Sequence, residues 1–247
     1  MMSKFALCLP VYNEEFGIQN YLLEISHHLG ADIDLIVLND ASKDKTMSQL
    51  ETATNRLPNL YILSNETNLG HGRSVMRLVD FALMSGFDCI LTVDGDGQVS
   101  GEELQKFFKY CVEMKFGYCE GIRTNRSDPM YRKFVSALTR LIVFSFSGKY
   151  PMDGNTPIRF YDSKIAKTLW TMVPEYSIVP NIHISIASRR LKIKLHNFRV
   201  ITRDRLGREK IGSTWKDGRK SLQAFPPRKF ISFCWSAMRE ILRLLIR

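Results

Sequence analysis

A mostly parallel α/β sheet flanked by helices, with amphipathic helices at the C-terminus, is the fold class this 247-residue sequence predicts. Three observations carry that prediction. Short apolar runs alternate with segments of helical period, as βαβ units require. At roughly 150 residues per domain, the length suits one large α/β domain with a sizeable core. Polar clusters rich in Asp, Asn and Gly recur where successive apolar runs end, which is where open α/β sheets bind their ligands.

Residues 4–9 form the first strand and residues 15–29 the first helix. A second strand, 33–38, precedes a polar helix beginning near Lys43, and a short strand spans 60–63. The clearest helix comes next: Val75, Leu78, Val79 and Ala82 recur at i, i+3, i+4 and i+7, with Gly86 as C-cap. Residues 88–93 read as a buried strand that breaks off into Asp94-Gly95-Asp96-Gly97. The second half holds a helix after Glu102, a strand near Tyr118, an apolar helix after Met130, helices from Ser163 and after Val179, and a basic strand over 192–198. Pro226-Pro227 sets off a final amphipathic segment, dividing the chain into residues 1–225 and 226–247.

With 45% hydrophobic and 24% charged residues, the composition excludes disorder, collagen-like repeats and a disulfide-stapled miniprotein. Thirty-five Lys and Arg against 25 Asp and Glu leave a net charge of +10, which favours an anionic partner. The five cysteines, Cys8, Cys89, Cys111, Cys119 and Cys234, show no CxxC spacing and read as free thiols in a reducing compartment. The N-terminus lacks the apolar run and small-residue cleavage site of a secretory signal, so a cytoplasmic location is expected. No window reaches the ~18 uninterrupted apolar residues of a membrane span. The nearest, 134–146 and 230–246, are broken by Arg140 and by Arg239, Glu240 and Arg243.

Four strand ends carry polar clusters: Pro10-Val11-Tyr12-Asn13-Glu14, residues 39–44, Asn68-Leu69-Gly70-His71-Gly72, and Asp94-Gly95-Asp96-Gly97-Gln98. Each alone is more often a turn than a site, since these residue types are what turns are made of. Their recurrence on one edge of one sheet favours function. The last cluster is the sharpest, because Asp94, Asp96 and Gln98 place oxygen ligands at alternate positions. An EF-hand is excluded: Val99 stands where its Gly belongs, Gln105 replaces its bidentate Glu, and a strand precedes the loop. Two carboxylates with few other ligands suit Mg²⁺ or Mn²⁺, which take further ligands from water and substrate phosphates. Gly70-His71-Gly72 follows the third strand and lacks the third glycine of a dinucleotide fingerprint, so it reads as a packing turn, with His71 a ligand contact at most.

In that order the four clusters resemble family 2 glycosyltransferases of the GT-A fold, a Rossmann-like α/β fold, over roughly residues 3–210. Within the family the chain is similar to the dolichol-phosphate mannose synthase and polyprenyl-phosphate sugar transferase branch, whose DxDxQ motif fits Asp94, Asp96 and Gln98. The resemblance implies that Pro10, Tyr12, Glu14, Asp40 and Gly70 hold the nucleotide sugar. It also implies that Asp94, Asp96 and Gln98 bind a metal bridging the donor diphosphate, with Asp96 catalytic. Gly121-Ile122-Arg123 with Arg126 is similar to the family's GxR segment, where arginine reaches phosphate. Residues 153–159 parallel a D-x-x-x-G-F-R stretch with Pro157-Ile158 in place of Gly-Phe, and residues 205–210 parallel an R-x-x-G-x-S-K loop with Glu209 in place of Ser. Arg205 and Lys210 are thereby expected to act on the acceptor.

A hydroxyl acceptor needs a general base, whereas a phosphate acceptor is already ionised and needs only cations to position it. The helix after Val179 reads Asn181-Ile182-His183-Ile184-Ser185-Ile186 with no carboxylate, while Arg123, Arg126, Arg203, Arg205 and Lys210 are abundant. The expected acceptor is therefore a polyprenyl phosphate. The alternative is a hydroxyl of a polysaccharide or glycolipid, with Asp153 or Glu175 as base. In the tail, Ser232, Ser236, Arg239, Glu240, Arg243 and Arg247 form one polar stripe on a wide apolar helix. Such a helix packs on its own domain or a partner, or lies in an anionic membrane interface, and the lipid acceptor favours the membrane. A peripheral position on the cytoplasmic face follows. A nucleic-acid-binding protein is the rejected class, since the cations are not interleaved with an aromatic RNA-binding motif.

Overall fold

The computed structural model describes residues 3–125, 130–207 and 228–243. Seven strands form one sheet: β1 (Phe5–Val11), β2 (Ile33–Asn39), β3 (Leu60–Ser64), β4 (Cys89–Thr92), β5 (Tyr118–Thr124), β6 (Arg159–Asp162) and β7 (His196–Ile201), in the order β3-β2-β1-β4-β6-β5-β7. The described helices are α1 (Ile18–Leu29), α2 (Thr46–Thr54), α3 (His71–Met84), α4 (Gly101–Glu113), α5 (Met130–Ser147), α6 (Ser163–Trp170), α7 (Pro180–Arg190) and α8 (Arg228–Leu242). β1 pairs in parallel with β2 and β4, β2 with β3, and β5 with β7.

The β1 side chains show why the sheet is covered on both faces. Leu7, Leu9 and Val11 enter a core shared with Ile18, Tyr21, Leu22, Leu104 and Phe107 of α1 and α4. Ala6 and Cys8 enter another, with Val75, Leu78, Val79 and Ala82 of α3 and Ile184 of α7. This is the period-two alternation of a strand sandwiched between two helical layers. The expected α3 stripe is the buried face of that helix.

β6 departs from the sequence reading, which placed no strand there. It lies antiparallel between β4 and β5, so the sheet is mixed at one position. The inversion has a consequence for the site: the start of β6, and with it residues 153–156, lies at the edge where the parallel strands end. β7 also begins later than the expected 192–198 strand, because Leu191 and Lys192 form the turn that ends α7, Lys192 at a positive φ of 53°, and the ladder starts only at His196.

α8 packs on the domain. Phe233, Ala237 and Ile241 join Val143 of α5, Ile182 and Ile186 of α7, and Val179 just before α7 in a third apolar cluster. Ser232, Ser236, Arg239 and Arg243 are exposed, as the polar stripe predicts. Glu240 is the correction: it turns inward and accepts hydrogen bonds from the chain leading into α7. Arg247 lies outside the described residues.

Candidate active site

The ends of β1, β2, β3 and β4 meet at one edge, and backbone stitching fixes their loops together. Asn13 N–H donates to Ser42 Oγ (3.0 Å), Lys43 N–H to Asn13 Oδ1 (2.8 Å) and Glu14 N–H to Thr46 Oγ1 (2.8 Å). The PxYNE segment and the loop after β2 are thus one unit. Pro10 is buried at the end of β1 and Tyr12 half-buried just beyond it. The Asp94–Gln98 loop docks on that unit through Gly95, whose N–H donates to Pro10 O at 3.3 Å. A Cβ at Gly95 would meet Pro10 O at 2.8 Å and collide with the Val11 side chain, so only glycine allows the approach.

Asp40 is buried and faces the third loop. Its Oδ1 accepts from Leu69 N–H (2.8 Å) and Asn65 Nδ2 (2.6 Å), and its Oδ2 from Gly70 N–H (2.9 Å). Much of the acceptor capacity of this carboxylate therefore goes to holding the turn that starts α3. Gly70, at φ 86°, is part of that turn.

Around the DxD loop the charges are interleaved. His71, at the start of α3, hydrogen-bonds Asp94 Oδ1 through Nε2 at 2.6 Å. Arg205 bridges Glu14 and Asp96, bonding the Glu14 carboxylate and standing 3.6 Å from Asp96 Oδ2. Arg203 donates through Nε to Gly97 O at 2.8 Å and pairs with Glu24 at 2.6 Å, clamping the far side of the loop. Gln98 engages the loop through its backbone, its N–H donating to Asp96 Oδ1 at 3.1 Å. Arg123 forms a two-pronged pair with Asp153 (Nε to Oδ2, 2.8 Å; a terminal nitrogen to Oδ1, 3.2 Å) and also donates to Asn155 O. Arg126 and Lys210 lie outside the described residues.

Protonation follows from this crowding. Burial, and then the neighbouring Asp94 charge, push the Asp96 carboxyl above the usual carboxylate range. Burial pushes Asp94 the same way, but His71, Arg123 and Arg205 together outweigh it and hold Asp94 low. For His71 burial opposes the charged form, and Asp94, with help from Asp96 and Asp40, reverses that and raises it. Glu14 is pushed up to about 7, mainly by burial, against the pull of Arg205.

Two hard carboxylates crowded enough to disfavour double ionisation fit a divalent cation that completes its shell with water and phosphate oxygens. Among the described residues no three His, Cys, Asp or Glu side chains form a ready-made metal cage. Sequence reasoning named Asp94 and Asp96 but gave His71 too little weight; its signal was a histidine opening the helix beside the acidic loop. Glu24 gave no signal, since its partner Arg203 lies far along the chain.

Residues 6–167 match the family model described as glycosyl transferase family 2, and the chain belongs to that family. Among curated relatives it is 25% identical over 199 residues to undecaprenyl-phosphate 4-deoxy-4-formamido-L-arabinose transferase of Enterobacter sp. (strain 638), and equally to that of Salmonella paratyphi B. The match takes in 79% of this chain, which spans about 60% of the length of those relatives. Among solved structures, glucosyl-3-phosphoglycerate synthase of Mycobacterium tuberculosis with Mn²⁺, UDP and phosphoglyceric acid superposes with a TM-score of 0.65 at 14% identity, covering 99% of this chain and 78% of that one. A mannosyltransferase of Pyrobaculum calidifontis with GDP-Man and Mn²⁺ gives a TM-score of 0.56 at 14% identity, covering 81% and 57%. The fold is that of the GT-A glycosyltransferases.

Proposed function

We propose that this chain transfers a sugar, with inversion, from a nucleotide-sugar donor to a polyprenyl phosphate, with Mg²⁺ or Mn²⁺ held by Asp94, Asp96 and Gln98. The observation that carries the choice of acceptor is the Arg123–Asp153 pair. Asp153 is one of the two carboxylates a hydroxyl acceptor could use as base, and both its oxygens are engaged by one guanidinium; the other, Glu175, is exposed between α6 and α7. To take a proton, Asp153 would have to give up part of that two-pronged pair. The same edge presents Arg123 and Arg205, which suit an anionic nucleophile. The relatives named as undecaprenyl-phosphate transferases support this reading.

In this reading Pro10, Tyr12, Glu14, Asp40 and Gly70 form the nucleotide side of the cleft. Arg123, Arg126, Arg205 and Lys210 place the phosphates. When bound, the divalent cation supplies Lewis-acid neutralisation of the leaving diphosphate. His71 keeps the Asp94 carboxylate oriented and ionised.

The acceptor's location is supported by the surface formed by α5 and α8. Among the described residues no helix is long and apolar enough to cross a membrane. On α5, however, Met130, Phe134, Leu141 and Phe144 are exposed in a helical stripe, and Ile231, Trp235 and Leu242 are exposed on α8. Tyr131 and Phe230 meet edge to face at 5.4 Å where the two helices touch. An apolar stripe this long, flanked by Lys133, Arg239 and Arg243, fits the interface of an anionic bilayer. We therefore place the protein peripherally on the cytoplasmic face.

The test is a screen of nucleotide sugars for Mn²⁺-dependent thermal stabilisation, followed by transfer assays with undecaprenyl phosphate and with a free glycan. Transfer to the lipid phosphate is expected. Transfer to the glycan alone, abolished by Asp153→Asn or by Glu175→Gln, would replace this reading with the hydroxyl-acceptor one.

A further inference from the structure

The Glu240 carboxylate of α8 is part-buried against the segment leading into α7. Its Oε1 accepts from Ser177 Oγ (2.5 Å) and contacts His183 Nε2 (2.7 Å), while its Oε2 accepts from Ile178 N–H (3.0 Å). Ser177 is fully buried and His183 nearly so. Burial works against a charge here, but the three donors outweigh it and hold the Glu240 carboxyl low. These contacts span about 60 residues of sequence, so the carboxylate ties the C-terminal helix to a specific piece of backbone.

That backbone presses on the start of α3. A Cβ at Gly72 would lie 2.7 Å from Ser177 O and 2.9 Å from the Ile178 carbonyl, so the two segments are in the closest contact a glycine permits. One residue further, the Arg73 guanidinium sits over the Tyr176 ring at 5.1 Å. One residue earlier is His71, which holds Asp94 Oδ1 at 2.6 Å. A contiguous path therefore runs from α8 to the first acidic ligand of the DxD loop.

We propose that Glu240 is a positioning residue for the Asp94 carboxylate, acting through the 177–178 backbone, Gly72 and His71. The proposal rests on the reading of Asp94 as part of the donor and metal site. Close-packed interiors transmit such displacements because they have no slack to absorb them. A partner that orients a metal ligand is commonly worth 10–100-fold in affinity. At several further removes, no more than the low end, about tenfold, is expected.

The five histidines make the path observable without turnover. In the ¹⁵N-histidine-labelled chain, Glu240→Ala should shift the ring signals of both His183 and His71, and Mn²⁺ affinity should fall by up to about tenfold. Ser177→Ala, a milder change, should move the same two signals by less. Ile241→Ala loosens the packing of α8 without touching the Glu240 hydrogen bonds, and should lower Tm while leaving His71 where it is. The proposal is overturned if Glu240→Ala moves His183 alone with Mn²⁺ affinity unchanged, or if Ile241→Ala moves His71 as much. Should wild-type protein bind no Mn²⁺ while His71 still follows Glu240, the metal reading fails and the positioning path stands.

Discussion

Asp40→Ala separates two roles that the sequence alone cannot tell apart. As a contact to the nucleotide, Asp40 would affect donor affinity and leave the fold untouched. In the structure its carboxylate receives two backbone N–H groups, from Leu69 and Gly70, and the Asn65 amide, at 2.6–2.9 Å. Truncation strands those donors. Each buried donor left without a partner costs about 1–3 kcal/mol. Leu69 and Gly70 are only half-buried, so water recovers part of the loss, and a total of about 2–3 kcal/mol is expected. For a chain of this size that lowers Tm by about 5–10 °C. Thermal unfolding of Asp40→Ala in metal-free buffer, with no nucleotide present, measures the effect directly. A Tm within about 1 °C of wild type, together with weakened nucleotide binding, would refute the loop-holding role and return Asp40 to the ligand.

Asp96→Ala should abolish Mn²⁺-dependent nucleotide binding and transfer while leaving Tm equal or slightly raised, because it removes a carboxyl that burial and Asp94 already disfavour in its charged form; a clear drop in Tm would show a structural role instead. Glu14 has its folded pKa raised to about 7 from 4.5, so the folded state binds the extra proton and stability falls as pH rises between those values. In chelator, the Tm of Glu14→Gln relative to wild type should accordingly be higher at pH 8 than at pH 5, and a pH-independent difference would contradict the assignment. Replacing exposed Phe134 and Trp235 with Ser should release the protein from anionic vesicles without lowering Tm, which a flotation assay reads. This pair is preferable to deleting α8, whose Glu240 and Ile241 hold the domain together.

Much of the fold was legible because apolar runs and helical stripes are local. The α3 stripe from Val75 to Ala82 and the buried run before Asp94 needed no partner to be recognised. β6 was not legible, because its four residues, Arg159-Phe160-Tyr161-Asp162, begin and end with charge and are too few to show a period. The DxD motif was readable as spacing, and its surroundings push the two carboxyls in opposite directions, Asp94 down and Asp96 up. What spacing hides is where each carboxylate spends its hydrogen bonds. Asp40 reads as a ligand contact, and its hydrogen bonds to Leu69 and Gly70 give it a second role, holding the turn that opens α3. Glu240 read as one residue of a solvent-facing stripe and is the group around which α7 begins.

The buried charges beside β6 explain how so polar a segment becomes central sheet. Glu120 of β5 is fully buried, receives Arg189 of α7 at 2.9 and 3.2 Å and the Tyr118 hydroxyl at 2.8 Å, and lies 3.7 Å from the fully buried Arg159. Arg159 in turn donates to Asn181 O and Ser185 Oγ of α7. One carboxylate thus holds two arginines, and the three side chains lock β5, β6 and α7 together, positioning the Asp153–Asn155 segment that enters β6. Burying such a set yields little net stability, whereas removing one member leaves an uncompensated charge at about 3–5 kcal/mol. Glu120→Gln keeps the volume and removes the charge, leaving two arginines facing a neutral amide, so the full penalty is expected. Arg189→Met leaves Glu120 still paired with Arg159 and should cost less. Urea unfolding of the two variants distinguishes this arrangement from simple packing: equal losses would mean that Arg159, at 3.7 Å, does not share the carboxylate, and that the antiparallel strand is held by its apolar neighbours alone.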